Sequence, residues 1–143
     1  MCIYLIGSLR NPNVRIVARV LREAVYEVFD DWHAAGPKAD DEWQRYEQAR
    51  GHSYTQALTG HAAKHVFEYD RFHLRRADVG VAVYPFGKSG HLEMGYMLGQ
   101  NKPVFVYMPS NLPDPQRWDV MLLFATGIAR TLDELTEWIH DVK

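Results

Sequence analysis

The chain predicts an α/β fold of three layers, with helices on both faces of a mostly parallel central sheet of about five strands. Three observations carry this expectation. Uncharged apolar runs, Cys2 to Ile6, Val79 to Tyr84 and Pro103 to Met108, have the length and β-branched content of strands buried on both faces. They alternate with stretches of helical periodicity, and turn-rich loops separate the two kinds of element. Strand, helix and parallel strand in succession imply right-handed crossovers, so the sheet belongs to the Rossmann and flavodoxin-like kind.

The elements follow in order. Cys2 to Ile6 is the first strand, closed by the loop Gly7-Ser8-Leu9-Arg10-Asn11-Pro12. Asn13 is placed to cap a helix over Val14 to Glu23, whose Val14, Val17, Ala18 and Leu21 repeat at helical spacing. Tyr26 to Phe29 is a short second strand. Asp30 to His52 turns polar, is broken by Gly36-Pro37, and holds Trp32, Trp43 and Tyr46, aromatic content that marks an insertion rather than a linker. Ser53 to Arg76 reads as one long helix or a pair, offering Ala57, Leu58, Ala62, Val66, Phe67 and Leu74 for an inner face. After the strand at Val79, Pro85 to Gly90 is a loop and a helix follows. Asn111 to Arg117 is a proline-bearing loop, Met121 to Phe124 a short apolar piece, and Ile128 to Thr131 an edge strand. Thr131-Leu132-Asp133-Glu134 has the form of a capping box opening a last amphipathic helix, with Leu132, Leu135, Trp138 and Ile139 inward.

Composition narrows the function. With 143 residues, 47% hydrophobic, the chain has the size of one domain over 1–143 with one ordinary core. A net charge of -2, without a basic cluster, argues against polymeric nucleic acid or an anionic membrane as partner and favours a small molecule. The single cysteine, Cys2, excludes an intrachain disulfide, and neither a leader nor a spanning segment is evident, so a cytoplasmic protein is expected. His61 and His65 share a helix face, but the glutamate of a zinc-protease helix and a third ligand are missing, so no metal is called for. Gly7-Ser8-Leu9-Arg10 is too short and too poor in glycine for a P-loop or dinucleotide fingerprint, and no cofactor is implied.

The stretch Ser89-Gly90-His91-Leu92-Glu93-Met94-Gly95 carries the clearest chemistry. It puts one carboxylate, Glu93, near the start of an otherwise almost wholly apolar helix. The helix dipole favours the ionised carboxylate there, whereas apolar neighbours raise its pKa, and a glutamate poised between these effects can attack carbon. Its bland alternative is a helix-start residue that caps Gly90. Loops after the first three strands, Gly7 to Asn11, Asp30 to His33 and Pro85 to Glu93, should meet at the carboxyl edge of the sheet, where ligands of open α/β sheets bind. They bring Gly7, Ser8, Arg10, Asp31, Trp32, Ser89, Gly90 and His91 as candidate binding residues, His91 as a wall or supporting contact. Asp70 stands upstream of the central strand, open to function or to surface pairing, whereas Asp78 reads as a helix-end acid before a strand.

In this order, Tyr4 on the first strand, Gly7-Ser8-Leu9-Arg10, Asp70 ahead of Ala77-Asp78, and Ser89 to Gly95 give a chain that resembles the nucleoside 2-deoxyribosyltransferase superfamily over most of its length. The Trp32 to His52 insertion is most similar to a transferase-like branch. The resemblance implies cleavage of the bond between a base and C1′ of a 2′-deoxyribose. Glu93 would be the nucleophile, Tyr4 would position it, and Asp70 would protonate or orient the departing base. Transfer of the sugar to an acceptor base is the first expectation. The loop after the first strand is instead similar to that of the related 2′-deoxynucleoside 5′-monophosphate N-glycosidases, which implies a hydrolase in which Ser8, Arg10 and Ser89 hold a phosphate. A non-catalytic nucleotide-binding module stands as the third reading. The resemblance also implies a homo-oligomer, for which Met121 to Phe124 offers an apolar patch.

Overall fold

The computed structural model of the protein describes residues 1–142. Five strands form one parallel sheet: β1 (Cys2–Ile6), β2 (Glu27–Phe29), β3 (Val79–Val83), β4 (Val104–Tyr107) and β5 (Gly127–Ala129), in the order β2-β1-β3-β4-β5. Among the described residues six α-helices accompany them: α1 (Asn13–Glu23), α2 (Ala39–Ala49), α3 (Tyr54–Ala57), α4 (His61–Arg76), α5 (Lys88–Gly99) and α6 (Leu132–His140). Two 3-10 helices, Asp31–Ala35 and Val120–Phe124, lie in the connections after β2 and β4. None of the described helices is long and apolar enough to cross a membrane.

Alternation along the strands divides the core in two. Ile3, Leu5, Val79, Val81 and Val83 face α1 and α6, whose Val14, Val17, Leu21, Leu135 and Ile139 are buried against them. Tyr4, Ile6, Phe29, Ala82 and Val104 face the other way, under Leu74 of α4 and Met94 and Met97 of α5. A buried Val, Ile or Leu stabilises a fold by about 1.5–3 kcal/mol, so the two layers hold the sheet from both sides. Asp78, read as structural, receives the N–H of Cys2 on Oδ2 at 2.8 Å and pins the start of β1.

Several local expectations change. Helix α1 begins at Asn13, one residue early, so Asn13 is not its cap; the Asn13 N–H goes instead to Oδ1 of Asn11. Ser53 to Arg76 is a pair, with a Ser53–Gln56 capping box opening α3 and Gly60 preceding α4. The insertion is helical from Ala39, after Gly36 turns the chain at a φ of 89° that suits glycine alone. Its inner anchor is the buried Glu47, bonded to Nδ1 of His52 at 2.6 Å. At α6 half of the expected box forms: Thr131 caps Glu134 N–H, while the Glu134 carboxylate takes the N–H of Arg130. The largest difference concerns α4, where Leu74 turns inward but Ala62, Val66 and Phe67 are exposed. Periodicity located the helix; it did not distinguish its two apolar sides.

Candidate active site

Tyr4 sits mid-strand on β1 with its ring under α4 and α5, and it is 1% exposed. Its register neighbours are Phe29 on β2 and Gly80 on β3. Gly80 is decisive for what reaches Tyr4. A Cβ there would stand 2.8 Å from Sδ of Met97 and 3.0 Å from Cγ2 of Val104, so its absence lets α5 lie directly on the sheet. One turn before Met97 on α5, Glu93 is thereby brought to the Tyr4 phenol, and Asp70 of α4 lies near enough for its charge to act on both.

The electrostatics follow from this placement. Burial pushes the Glu93 carboxyl up to about 7; the Tyr4 hydroxyl, acting as a donor, opposes the rise and the nearby Asp70 charge adds to it. Burial alone raises Asp70 to about 6. Tyr4 is pushed far above the ordinary tyrosine range by burial first and by the Glu93 charge second, so it stays a phenol and can only donate to the carboxylate. Oε2 of Glu93 is buried without a hydrogen-bond partner among the described residues. The capping alternative is therefore set aside: Gly87, not Gly90, precedes α5, and no side chain caps that helix. A desolvated carboxylate with a free oxygen, steadied by a phenol and neighboured by a second acid, is equipped to attack an electrophilic carbon while a proton moves nearby.

Aromatic rings pack beside Tyr4. Phe29 lies 5.3 Å from the Tyr4 ring, His73 stacks on Phe29 at 3.8 Å, and Tyr69 meets Phe29 edge-on at 5.8 Å. Sequence reasoning did not single out Phe29 or His73. The spacing of His73 one turn after Asp70 was a signal for the second; nothing local announced the first.

The remaining candidates occupy the carboxyl edge. Gly7 is packed so that a Cβ would come within 2.9 Å of Val14 Cγ2 and 3.5 Å of the Trp32 ring. Trp32 donates its indole N–H to Leu5 O at 2.8 Å and is half-buried, while Asp31 beside it is exposed. Ser8 Oγ accepts the N–H of Arg10, and the exposed Arg10 guanidinium pairs with Asp41 of α2 at 3.3 Å. Ser89 is exposed in the first turn of α5, where the opening backbone N–H groups have no helical partner. Gly90 is buried against Phe86 and Ile6, and His91 donates from Nδ1 to Gly87 O at 2.7 Å. Thus Tyr4, Asp70 and Glu93 come together, whereas Arg10 lies apart from them in an exposed pair with Asp41. A separate cavity of about 660 Å³ opens on the far flank of α5, between Met94, Leu98 and Met108 and the segment carrying Arg117, Asp119 and Leu122; it excludes all three residues of the cleft.

Sheet order and helix placement define a doubly wound, all-parallel α/β fold that two solved enzymes share. The chain is similar to a 2-deoxyribosyltransferase of the psychrotolerant bacterium Bacillus psychrosaccharolyticus, with a TM-score of 0.61 and 16% identity over 95% of this chain and 90% of that one. It is also similar to the CMP N-glycosidase BcmB of Clostridium botulinum, with a TM-score of 0.56 and 10% identity over 98% of this chain and 99% of that one. No family model matches the sequence, and no curated protein does. At these identities the likeness is one of fold.

Proposed function

We propose that the protein cleaves the N-glycosidic bond of a 2′-deoxynucleoside through a covalent deoxyribosyl-Glu93 intermediate and transfers the sugar to an acceptor base. The observation that carries this is the buried, unpartnered Oε2 of Glu93 beside Tyr4 and Asp70. In the first step that oxygen bonds to C1′ as the C1′–N bond breaks, and the departing base takes the electron pair and a proton from Asp70. In the second, a ring nitrogen of the acceptor bonds to C1′, the ester to Glu93 breaks, and Asp70 recovers a proton. Positive charge at C1′ develops between the carboxylate and the aromatic wall, and a sugar lacking its 2′-hydroxyl withdraws less electron density from that carbon. The similarity in fold to one transferase and one N-glycosidase supports this class of bond.

A second reading, hydrolysis of 2′-deoxynucleoside 5′-monophosphates, has its own support in the unspent N–H groups at the start of α5 next to Ser89, with Ser8 and Arg10 on the facing loop. The deciding experiment incubates the protein with deoxynucleosides and their 5′-monophosphates, with and without excess free base, and separates the products by chromatography. New nucleosides establish transfer; base released from monophosphates alone establishes hydrolysis. No release from either set rejects both and leaves a nucleotide-binding module. The assembly proposed is a homo-oligomer, supported by the exposed Val66, Phe67 and Phe72 of α4 and by Leu123 and Phe124.

A further inference from the structure

We propose that Asn11 is a positioning residue that sets the crevice between the loops after β1 and β3, and with it the edge of the cleft that holds the substrate. This rests on the catalytic reading of the cleft. In the order β2-β1-β3-β4-β5, β1 and β3 are neighbours whose following helices leave to opposite faces, α1 to one side and α5 to the other. Their loops therefore part at the carboxyl edge, and some group must satisfy the backbone carbonyls that the parting exposes.

Asn11 does so, at 5% exposure. Its Nδ2 reaches from the β1 loop to the carbonyls of Val83 at 3.3 Å and Pro85 at 3.4 Å, on the β3 loop. Its Oδ1 accepts the N–H of Asn13 at 3.0 Å, so both ends of the amide are engaged and its orientation is determined. The third loop joins through His33, which is 8% exposed. Nε of Arg15 donates to Nδ1 of His33 at 3.1 Å, which leaves the ring proton on Nε2, directed at the Asn11 carbonyl at 3.1 Å. The crevice has no slack: a Cβ on Gly7 or on Gly90 would come within 2.9 Å of its neighbours, Val14 and Phe86 respectively.

Asn11 acts on Val83 and Pro85, ahead of α5, whereas Glu93 is placed by the seat of α5 on Gly80 and by Tyr4. Loss of Asn11 should therefore release the loops that hold substrate and leave the nucleophile where it is. The test compares the intact protein with Asn11→Ala and with Asn11→Asp, which keeps the shape but has no N–H to donate. It adds His33→Leu and His33→Gln, the latter retaining an amide donor for the Asn11 carbonyl. In both Asn11 variants, amide hydrogen exchange over residues 84–90 should quicken roughly tenfold with α6 unchanged. KM should rise roughly tenfold, kcat should stay within about threefold, and the acid limb of the pH profile should not move. His33→Leu should follow Asn11→Ala in part and His33→Gln should restore the intact behaviour. Exchange that is unchanged over 84–90, or quickened equally in α6, overturns the proposal, as does a fall in kcat at constant KM. If the intact protein turns over no nucleoside or nucleotide, the catalytic reading fails; the exchange measurements still decide whether Asn11 holds the crevice.

Discussion

For Glu93 the proposed reactivity and the stability of the fold pull in opposite directions. Its carboxyl rises to about 7 in the folded chain, above the ordinary glutamate value, so the fold prefers it protonated and loses stability as pH climbs toward that value. Glu93→Gln, neutral throughout, should melt several degrees higher than the intact protein at about pH 8, and the gap should close in acid; calorimetry at the two pH values measures it. The same substitution should abolish base release. Tyr4→Phe removes the donor that holds Glu93 down, so the pH limit set by Glu93 should move upward, with a smaller loss of rate than Glu93→Gln. With Glu93 required ionised and Asp70 protonated, kcat/KM should be bell-shaped with limbs near the two values of about 7 and about 6, the productive form being a minority at every pH. Asp70→Asn should erase the alkaline limb and leave a single acid limb set by Glu93 alone; a pH–rate profile reads both changes. Glu93 stood out in the sequence through its local pattern, a lone carboxylate in an apolar helix, whereas Tyr4 and Asp70 were singled out through the family resemblance. Phe29, His73 and Asn11 were not, since their significance lies in partners across the fold: Phe29 stacks on His73, and Asn11 bonds to Val83.

At the scale of elements, the seat of α5 decides whether Glu93 reaches Tyr4. Gly80→Ala would force its new methyl against Met97 and Val104. It should destabilise the fold by about 1–3 kcal/mol, measurable by denaturant unfolding, and lower kcat by lifting Glu93 from the phenol. A Gly80→Ala protein with full kcat would show that α5 can shift without moving the nucleophile. Legibility also varied by element for physical reasons. The strands β1, β3 and β4 are apolar on both faces because layers cover both, a pattern that survives in any short window. Helix α2 showed no such pattern because most of its surface is exposed, and its anchor is a buried carboxylate, Glu47, rather than an apolar stripe. Helix α4 was found but its faces were confused, because it carries apolar residues both against the sheet and on its outer side.

The outer side of α4 matters for the whole molecule. Val66, Phe67 and Phe72 are each more than half exposed, Leu92 of the adjacent α5 is 76% exposed, and Leu123 and Phe124 beside the far cavity are 85% and 70% exposed. At about 1.5–3 kcal/mol for each large apolar side chain removed from water, six such residues would contribute on the order of 10 kcal/mol, comparable to the roughly 4–15 kcal/mol that association costs. A second copy covering both regions would thus form a stable complex, and one covering a single residue would not. The expected outcome is a homo-oligomer at micromolar concentration in light scattering. Phe67→Glu combined with Leu123→Glu should convert it to monomer, because a charge at each point leaves an uncompensated carboxylate in a buried surface. These positions lie outside the Tyr4–Asp70–Glu93 cleft, so the monomer separates two roles for assembly. Retained turnover would mean that association only protects apolar surface, whereas lost turnover with Tm preserved would mean that the neighbouring copy completes the cleft. An intact protein that is already monomeric would refute the oligomer and leave this face for a different partner.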